Sequence, residues 1–309
     1  MVQATAPGKI ILFGEHAVVY GRPAIAAPVS QVRATATIEA SQTITRLIAP
    51  DLGMNMTLAE ADEGNPIAAA VRQVAAAVTT LPPLKITVRS SIPIASGMGS
   101  GAAISAAIIR AITEFMNWPV SHKFVSDMTY EVEKIHHGTP SGIDNTVVAY
   151  ERPVYFVRQP EGNRIEKFLV KRPLHLLIAD TGIKSSTKVA VADVRRQWQD
   201  DPYTFEALFD VCGQIASSAR TAIEAGDLER VGRLMRENHT LLQKITVSSP
   251  ELDRLVDTAT KAGALGAKLS GAGRGGNMIA LVANKERETA VKSALIAAGA
   301  TAVLTTTIQ

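Results

Sequence analysis

Along the chain the spacing of hydrophobic positions changes several times, and each change marks an element. Between 31 and 40, Val32, Ala34, Ala36 and Ile38 alternate with Arg33, Thr35, Thr37 and Glu39, the period of a half-buried strand. Leu84, Ile86 and Val88 alternate with Lys85, Thr87 and Arg89 in the same way. A short apolar run at 10–13 predicts another strand, and 43–48 continues in β-prone composition. Residues 51–64 are polar and glycine-containing, a loop or irregular hairpin. Asn65-Pro66 supplies an N-cap and a proline at the first helical position for a helix to about 78. Residues 102–116 form an Ala/Ile-rich run without Gly or Pro, and Ser121 caps a helix through 135.

The remainder reads as strands at 153–157 and 174–179, then helices at 187–199, 203–225, 228–245 and 250–262. Asp227 caps one of these helices and Ser249-Pro250 starts another. The end alternates: a strand near Ala267, a loop at 270–276, a strand at 278–282, a helix at 285–298 and a last strand at 303–308. No low-complexity linker separates the halves. The composition shift near 173 is the best boundary, giving domains 1–172 and 173–309.

Composition narrows the function classes. A chain of 309 residues can bury a large core. A net charge of +3 with scattered basic residues, and 5% aromatics, argue against nucleic acid as a partner. The single cysteine, Cys212, lies in a helical run and reads as a small buried apolar residue; a reducing compartment fits. No signal-like start and no membrane-length apolar run is present, so a cytoplasmic protein without a membrane partner is expected.

Candidate chemistry sits in the connections. Residues 93–103 read Pro-Ile-Ala-Ser-Gly-Met-Gly-Ser-Gly-Ala-Ala, between a predicted strand and a predicted helix. Gly97, Gly99 and Gly101 have no Cβ to hold a ligand away, and free N–H groups at a helix start form an anion site. No acidic side chain interrupts the loop. It is neither a Walker loop nor a dinucleotide fingerprint, and alone it reads equally as a turn before a helix. Lys9 and Glu15-His16 flank the apolar run at 10–13; alone they read as a solvated strand end. Glu133, His136, His137, Ser141 and Asp144 surround a Gly/Pro turn, so two carboxylates can reach one site from two directions. Adjacent histidines on a helix point in different directions, which disfavours zinc; Mg²⁺ suits carboxylates plus phosphate oxygens.

Three stretches in this order, 6–21, 93–103 and 268–276 (Lys-Leu-Ser-Gly-Ala-Gly-Arg-Gly-Gly), resemble the three motifs of the GHMP small-molecule kinases. Gly-Glu-His-Ala-Val-Val at 14–19 and His-Gly-Thr-Pro-Ser-Gly-Ile-Asp-Asn at 137–145 are similar to the mevalonate kinases within that superfamily. The resemblance covers the chain from Ala4 to about Leu281. It implies an α+β fold of two domains with the active site in the interdomain cleft. It also implies transfer of the ATP γ-phosphoryl to the terminal hydroxyl of mevalonate, with Mg²⁺, and leaves a homodimer open. By position, Asp144 matches the catalytic aspartate, Lys9 its neighbouring lysine, and Glu133 the magnesium-binding glutamate. Glu15, His16 and Thr187 match positions near mevalonate. Pro93, Ser96, Gly97, Met98, Gly99, Ser100, Gly101 and Ala102 match the ATP phosphate loop. These roles suit phosphoryl transfer, which is mostly positioning and charge neutralisation.

The chain departs from the family pattern in places. Ser100-Gly101 stands where most members have two serines, so Mg²⁺ loses a hydroxyl ligand at 101, and a water or Ser100 takes its place. Met98 replaces a leucine. Arg274 stands where a glycine is usual and is expected either over the nucleotide phosphates or as a solvated loop residue. Ser185 stands where animal enzymes carry an arginine near mevalonate's carboxylate. The cation expected for that carboxylate is then His16, if protonated, or Lys184. Competing readings are a kinase for phosphomevalonate or another small alcohol, and a non-catalytic ligand-sensing GHMP fold. The presence of Lys9, Glu133 and Asp144 weighs against the last.

Overall fold

The computed structural model describes residues 1–93, 97–137 and 140–309, with 136 and 137 as backbone alone. The chain divides into two compact units. The first comprises Met1–Lys9, Pro28–Ile94 and Met98–Arg152; the second comprises Ile10–Ala27, Ala95–Gly97 and Pro153–Gln309. Two long paired strands, β1 (Val2–Phe13) and β2 (Ala24–Ala40), contribute residues to both. The sequence-based boundary near 173 falls inside the second unit.

In the first unit follow β3 (Arg46–Ala49), β4 (Met54–Thr57), α1 (Pro66–Ala77) and β5 (Leu84–Ser90). The polar stretch after β3 forms a 3-10 turn and the edge strand β4, which runs antiparallel to β3. β2 and β5 are antiparallel, and their alternation coincides. Ile38 lies opposite Ile86 and Ala36 opposite Val88 on the buried face; Glu39 and Lys85 pair at 2.8 Å on the other. Helices α2 (Ser100–Phe115), α3 (His122–His137) and α4 (Ile143–Tyr150) complete this unit. Ala103, Ala106, Ala107, Ile108, Ile109, Ala111 and Ile112 of α2 are all buried, so α2 is apolar around much of its circumference and takes the centre. Its small side chains let α1, α3 and α4 approach it. The expected caps form: Asn65 Oδ1 accepts from the Ala68 N–H at 3.0 Å and Ser121 Oγ from the Phe124 N–H at 3.1 Å.

The second unit opens its later half with the hairpin β6 (Val154–Val157) and β7 (Arg164–Lys167); β6 pairs with Ala24, Ile25 and Ala26 of β2. Its core is an antiparallel sheet of order β11-β8-β10-β9, formed by β8 (Leu174–Asp180), β9 (Gly266–Ser270), β10 (Asn277–Val282) and β11 (Ala302–Ile308). Every residue of β10 is buried, which explains its unbroken apolar run. Helices α5 (Thr187–Asp200), α6 (Pro202–Ala225), α7 (Leu228–Lys244), α8 (Pro250–Lys261) and α9 (Lys285–Ala297) lie where the pattern places them. Asp227 and Ser249 cap α7 and α8 by accepting from the Arg230 and Leu252 N–H groups. Among the described residues, no helix is long and apolar enough to cross a membrane.

Candidate active site

In the first unit, β1 carries Lys9 to the start of α2. The Lys9 N–H donates to the Met98 carbonyl at 2.9 Å, fixing the loop's last turn on the strand. Gly99 is the N-cap, with φ at +70°. A Cβ there would stand 2.8 Å from Lys9 Cγ and 3.5 Å from Asp144 Oδ2, so both backbone and space demand glycine. The first helical bond of α2 runs from the Ala103 N–H to the Gly99 carbonyl. The N–H groups of 100–102 are thus left without helical acceptors, the arrangement that binds anions. Ser100 is half-buried, Gly101 exposed and Ala102 buried; Met98 turns inward, while Pro93 and Gly97 are exposed. Ser96, also expected at this loop, lies outside the described residues.

Two carboxylates approach that helix start. Asp144, in the first turn of α4, pairs with Lys9 at 3.1 Å between Oδ1 and Nζ. Lys9 is buried, whereas the Asp144 side chain is 30% exposed and so open to a ligand. Glu133 on α3 is buried. Burial first, then the neighbouring Asp144 charge, pushes its carboxyl up to about 8, with Lys9 pulling the other way. A Cβ at Gly101 would stand 3.2 Å from Glu133 Oε1. The residue whose family counterpart bears a hydroxyl therefore borders the expected metal-binding carboxylate.

The second unit holds the residues expected near the acceptor. Glu15 and His16 follow β1 and are buried; Thr187 begins α5 and is exposed. His16 adopts φ +57° and its Nε2 lies 3.0 Å from the Ala272 carbonyl oxygen in the glycine loop 271–276. Burial lowers its imidazole from 6.5 to about 4; the Ala272 hydrogen bond opposes this and the Arg274 charge adds to it. His16 is therefore neutral at physiological pH, so the protonation on which its role as a cation depended is not met. The other expected cation, Lys184, is exposed on the segment before α5.

Two ion pairs here escaped sequence reasoning. Lys268 on β9 and Glu15 are paired with both side chains fully buried, and Lys268 Nζ also donates to the Leu269 carbonyl. Burial pushes the Lys268 ammonium down and Glu15 holds it up. The available signal was a lysine within a strand otherwise composed of small and apolar residues. Arg274 pairs with Asp193 on α5, so it is not simply a solvated loop residue. Cys212 in α6 is buried, and burial pushes its thiol up to about 12, as expected of an inert packing residue.

Comparison with known proteins decides the family. Residues 65–152 match the GHMP kinases N terminal domain and 219–301 the GHMP kinases C terminal. The mevalonate kinase of Pyrococcus abyssi is 35% identical over 325 residues, covering 99% of this chain and 95% of its own. The chain belongs to the GHMP kinase family. This GHMP kinase is similar in structure to L. major mevalonate kinase in complex with R-mevalonate, with TM-score 0.87, 32% identity, and coverage of 100% and 96% of the two chains. The Methanococcus jannaschii mevalonate kinase superposes with TM-score 0.85 at 28% identity, covering 99% and 98%. Mixed helix and sheet in both halves of this GHMP kinase agrees with the α+β expectation.

Proposed function

We propose that this GHMP kinase transfers the γ-phosphoryl group of ATP to the terminal hydroxyl of mevalonate, giving 5-phosphomevalonate, in the cytoplasm. The observation that carries the reading is the Lys9–Asp144 pair beside the glycine-capped start of α2, in a chain 35% identical to a mevalonate kinase over nearly its full length. The open N–H groups at 100–102 would hold phosphate oxygens. The half-exposed Asp144 carboxylate orients the acceptor hydroxyl and takes its proton as the new O–P bond forms and ADP leaves. The Lys9 ammonium, fixed by burial, stabilises negative charge developing on the attacking oxygen.

The donor set fits Mg²⁺. Glu133 is a buried carboxylate that borders Gly101 at the start of α2, where a dication would stabilise its charged form against burial. Among the described residues, no group of three or more His, Cys, Asp or Glu could hold a metal. Glu133 would therefore share Mg²⁺ with phosphate oxygens and water, with Ser100 the nearest loop hydroxyl in sequence and Gly101 offering none. When bound, Mg²⁺ would neutralise charge on the triphosphate. His16 and Thr187 are assigned to the acceptor, with neutral His16 acting through hydrogen bonds rather than charge; Glu15, fully buried against Lys268, would support them from behind. A homodimer is compatible with this reading.

ADP release from purified protein, measured against mevalonate, phosphomevalonate, homoserine and galactose, tests the proposal. Turnover with mevalonate well above the others is expected. Preference for phosphomevalonate would reassign the acceptor, and no turnover with any alcohol would favour a ligand-sensing role.

A further inference from the structure

The glycine loop 271–276 contains one residue that its backbone disfavours. Gly271, Gly273, Gly275 and Gly276 all have positive φ, and so does Arg274, at +58°. A side chain with a Cβ is unfavourable in that region, where glycine is at ease. The backbone around it is tightly held. The Arg274 N–H donates to the Val247 carbonyl at 2.7 Å, and a Cβ on Gly273 would stand 1.9 Å from that same oxygen. The Gly276 N–H donates to the Ile183 carbonyl at 2.9 Å, and the Thr181 N–H and hydroxyl both donate to the Gly276 carbonyl at 2.9 Å. The loop is therefore tied to the segment that leads into α5.

The Arg274 side chain makes the next tie. Its Nη1 donates to Asp193 Oδ2, in the second turn of α5, with both side chains about a third exposed. One turn further on, Gln197 Nε2 donates to Thr246 Oγ1 at 2.9 Å, so α5 is held at two levels. The first residue of the helix is Thr187, and the loop also accepts His16 through the Ala272 carbonyl. One short loop thus contacts both the helix that presents Thr187 and the imidazole of His16.

We propose that Arg274 is a positioning residue for the acceptor: through Asp193 it clamps α5 to the glycine loop, so that Thr187 and His16 keep one relative geometry. This rests on the assignment of Thr187 and His16 to mevalonate made above. The guanidinium is held by a carboxylate of its own unit, which ties the loop to α5. The clamp accounts for an arginine kept in a conformation that suits glycine.

Arg274→Gly is a direct test because glycine relieves the backbone, so the variant should fold. The expected result is a KM for mevalonate raised about tenfold, with kcat and the KM for ATP changed by less than about twofold. Asp193→Asn should give the same pattern, Arg274→Lys should recover part of the loss, and the double variant Arg274→Gly/Asp193→Asn should be no worse than either single one. Amide hydrogen exchange at 183–190 in the ligand-free protein should quicken in Arg274→Gly, a readout independent of substrate. Unchanged exchange overturns the clamp, as does an equal rise in both KM values, which would put Arg274 on the nucleotide. Thr187→Ala separates the two failures. If it raises the mevalonate KM while Arg274→Gly does not, the clamp is refuted. If neither does, the assignment of Thr187 is refuted, and the proposal with it.

Discussion

Lys268→Met removes one member of a fully buried ion pair and leaves Glu15 behind. Neither carboxylate nor ammonium reaches water, because both side chains have no exposed surface. Removing one partner of such a pair costs about 3–5 kcal/mol, because the other charge stays buried without the ion it was paired with. Against a typical total of roughly 5–15 kcal/mol, that is a large share of the stability. At roughly 2 °C per kcal/mol for a chain of this size, Tm should fall by roughly 6–10 °C. The double variant Glu15→Met/Lys268→Met removes both charges and keeps similar volume, so it should recover most of the loss, since apolar replacement of a buried pair is often close to neutral. Thermal and urea unfolding followed by circular dichroism would measure both. A loss below about 1 kcal/mol in the single variant, or a double variant less stable than the single, would refute the claim that the two charges compensate each other.

Asp144→Asn should lower kcat by a factor on the order of hundreds while changing the KM for ATP little, because proton transfer and hydroxyl orientation act in the transition state; steady-state kinetics decide it. Gly99→Ala places a Cβ 2.8 Å from Lys9 Cγ at φ +70°, so kcat should fall at least about tenfold with a smaller loss of Tm; full activity would contradict the packing argument. His16 has a folded pKa of about 4, below its ordinary 6.5, so below 6.5 the unfolded chain binds the extra proton and stability falls as pH drops toward 4. Over that window the effect is on the order of 3 kcal/mol, and His16→Gln should show a shallower decline of Tm between pH 6.5 and 4.

Much of this protein was legible before any coordinates. Periodicity placed β5, the later half of β2 and the helices α5 to α9 within a few residues; the first half of β2, from Ala24 to Val29, is buried on both faces, shows no alternation and was missed. Caps were readable from single residues, Asn65, Ser121, Asp227 and Ser249, because an N-cap bond is local. The loop at 93–103 and the pair Lys9 and Asp144 were found by motif. Two elements were not: α4 is short and begins after a Gly/Pro-rich run that reads as a turn, and β7 lies in a polar stretch without alternation.

What the sequence determined by itself is whatever depends on neighbours in the chain: element types, caps, the glycine-capped helix start and the family motifs. Only the tertiary structure decided the charge states and the pairings. The motif leaves the charge of His16 open, and the fold makes it neutral, because burial penalises the charged imidazole. Lys268 and Glu15 are 253 positions apart, and Arg274 and Asp193 are 81 apart. No local pattern reports which charge will meet which across such separations. That is settled when strands and helices pack and water is excluded, since a buried charge persists only where a partner has been brought to it.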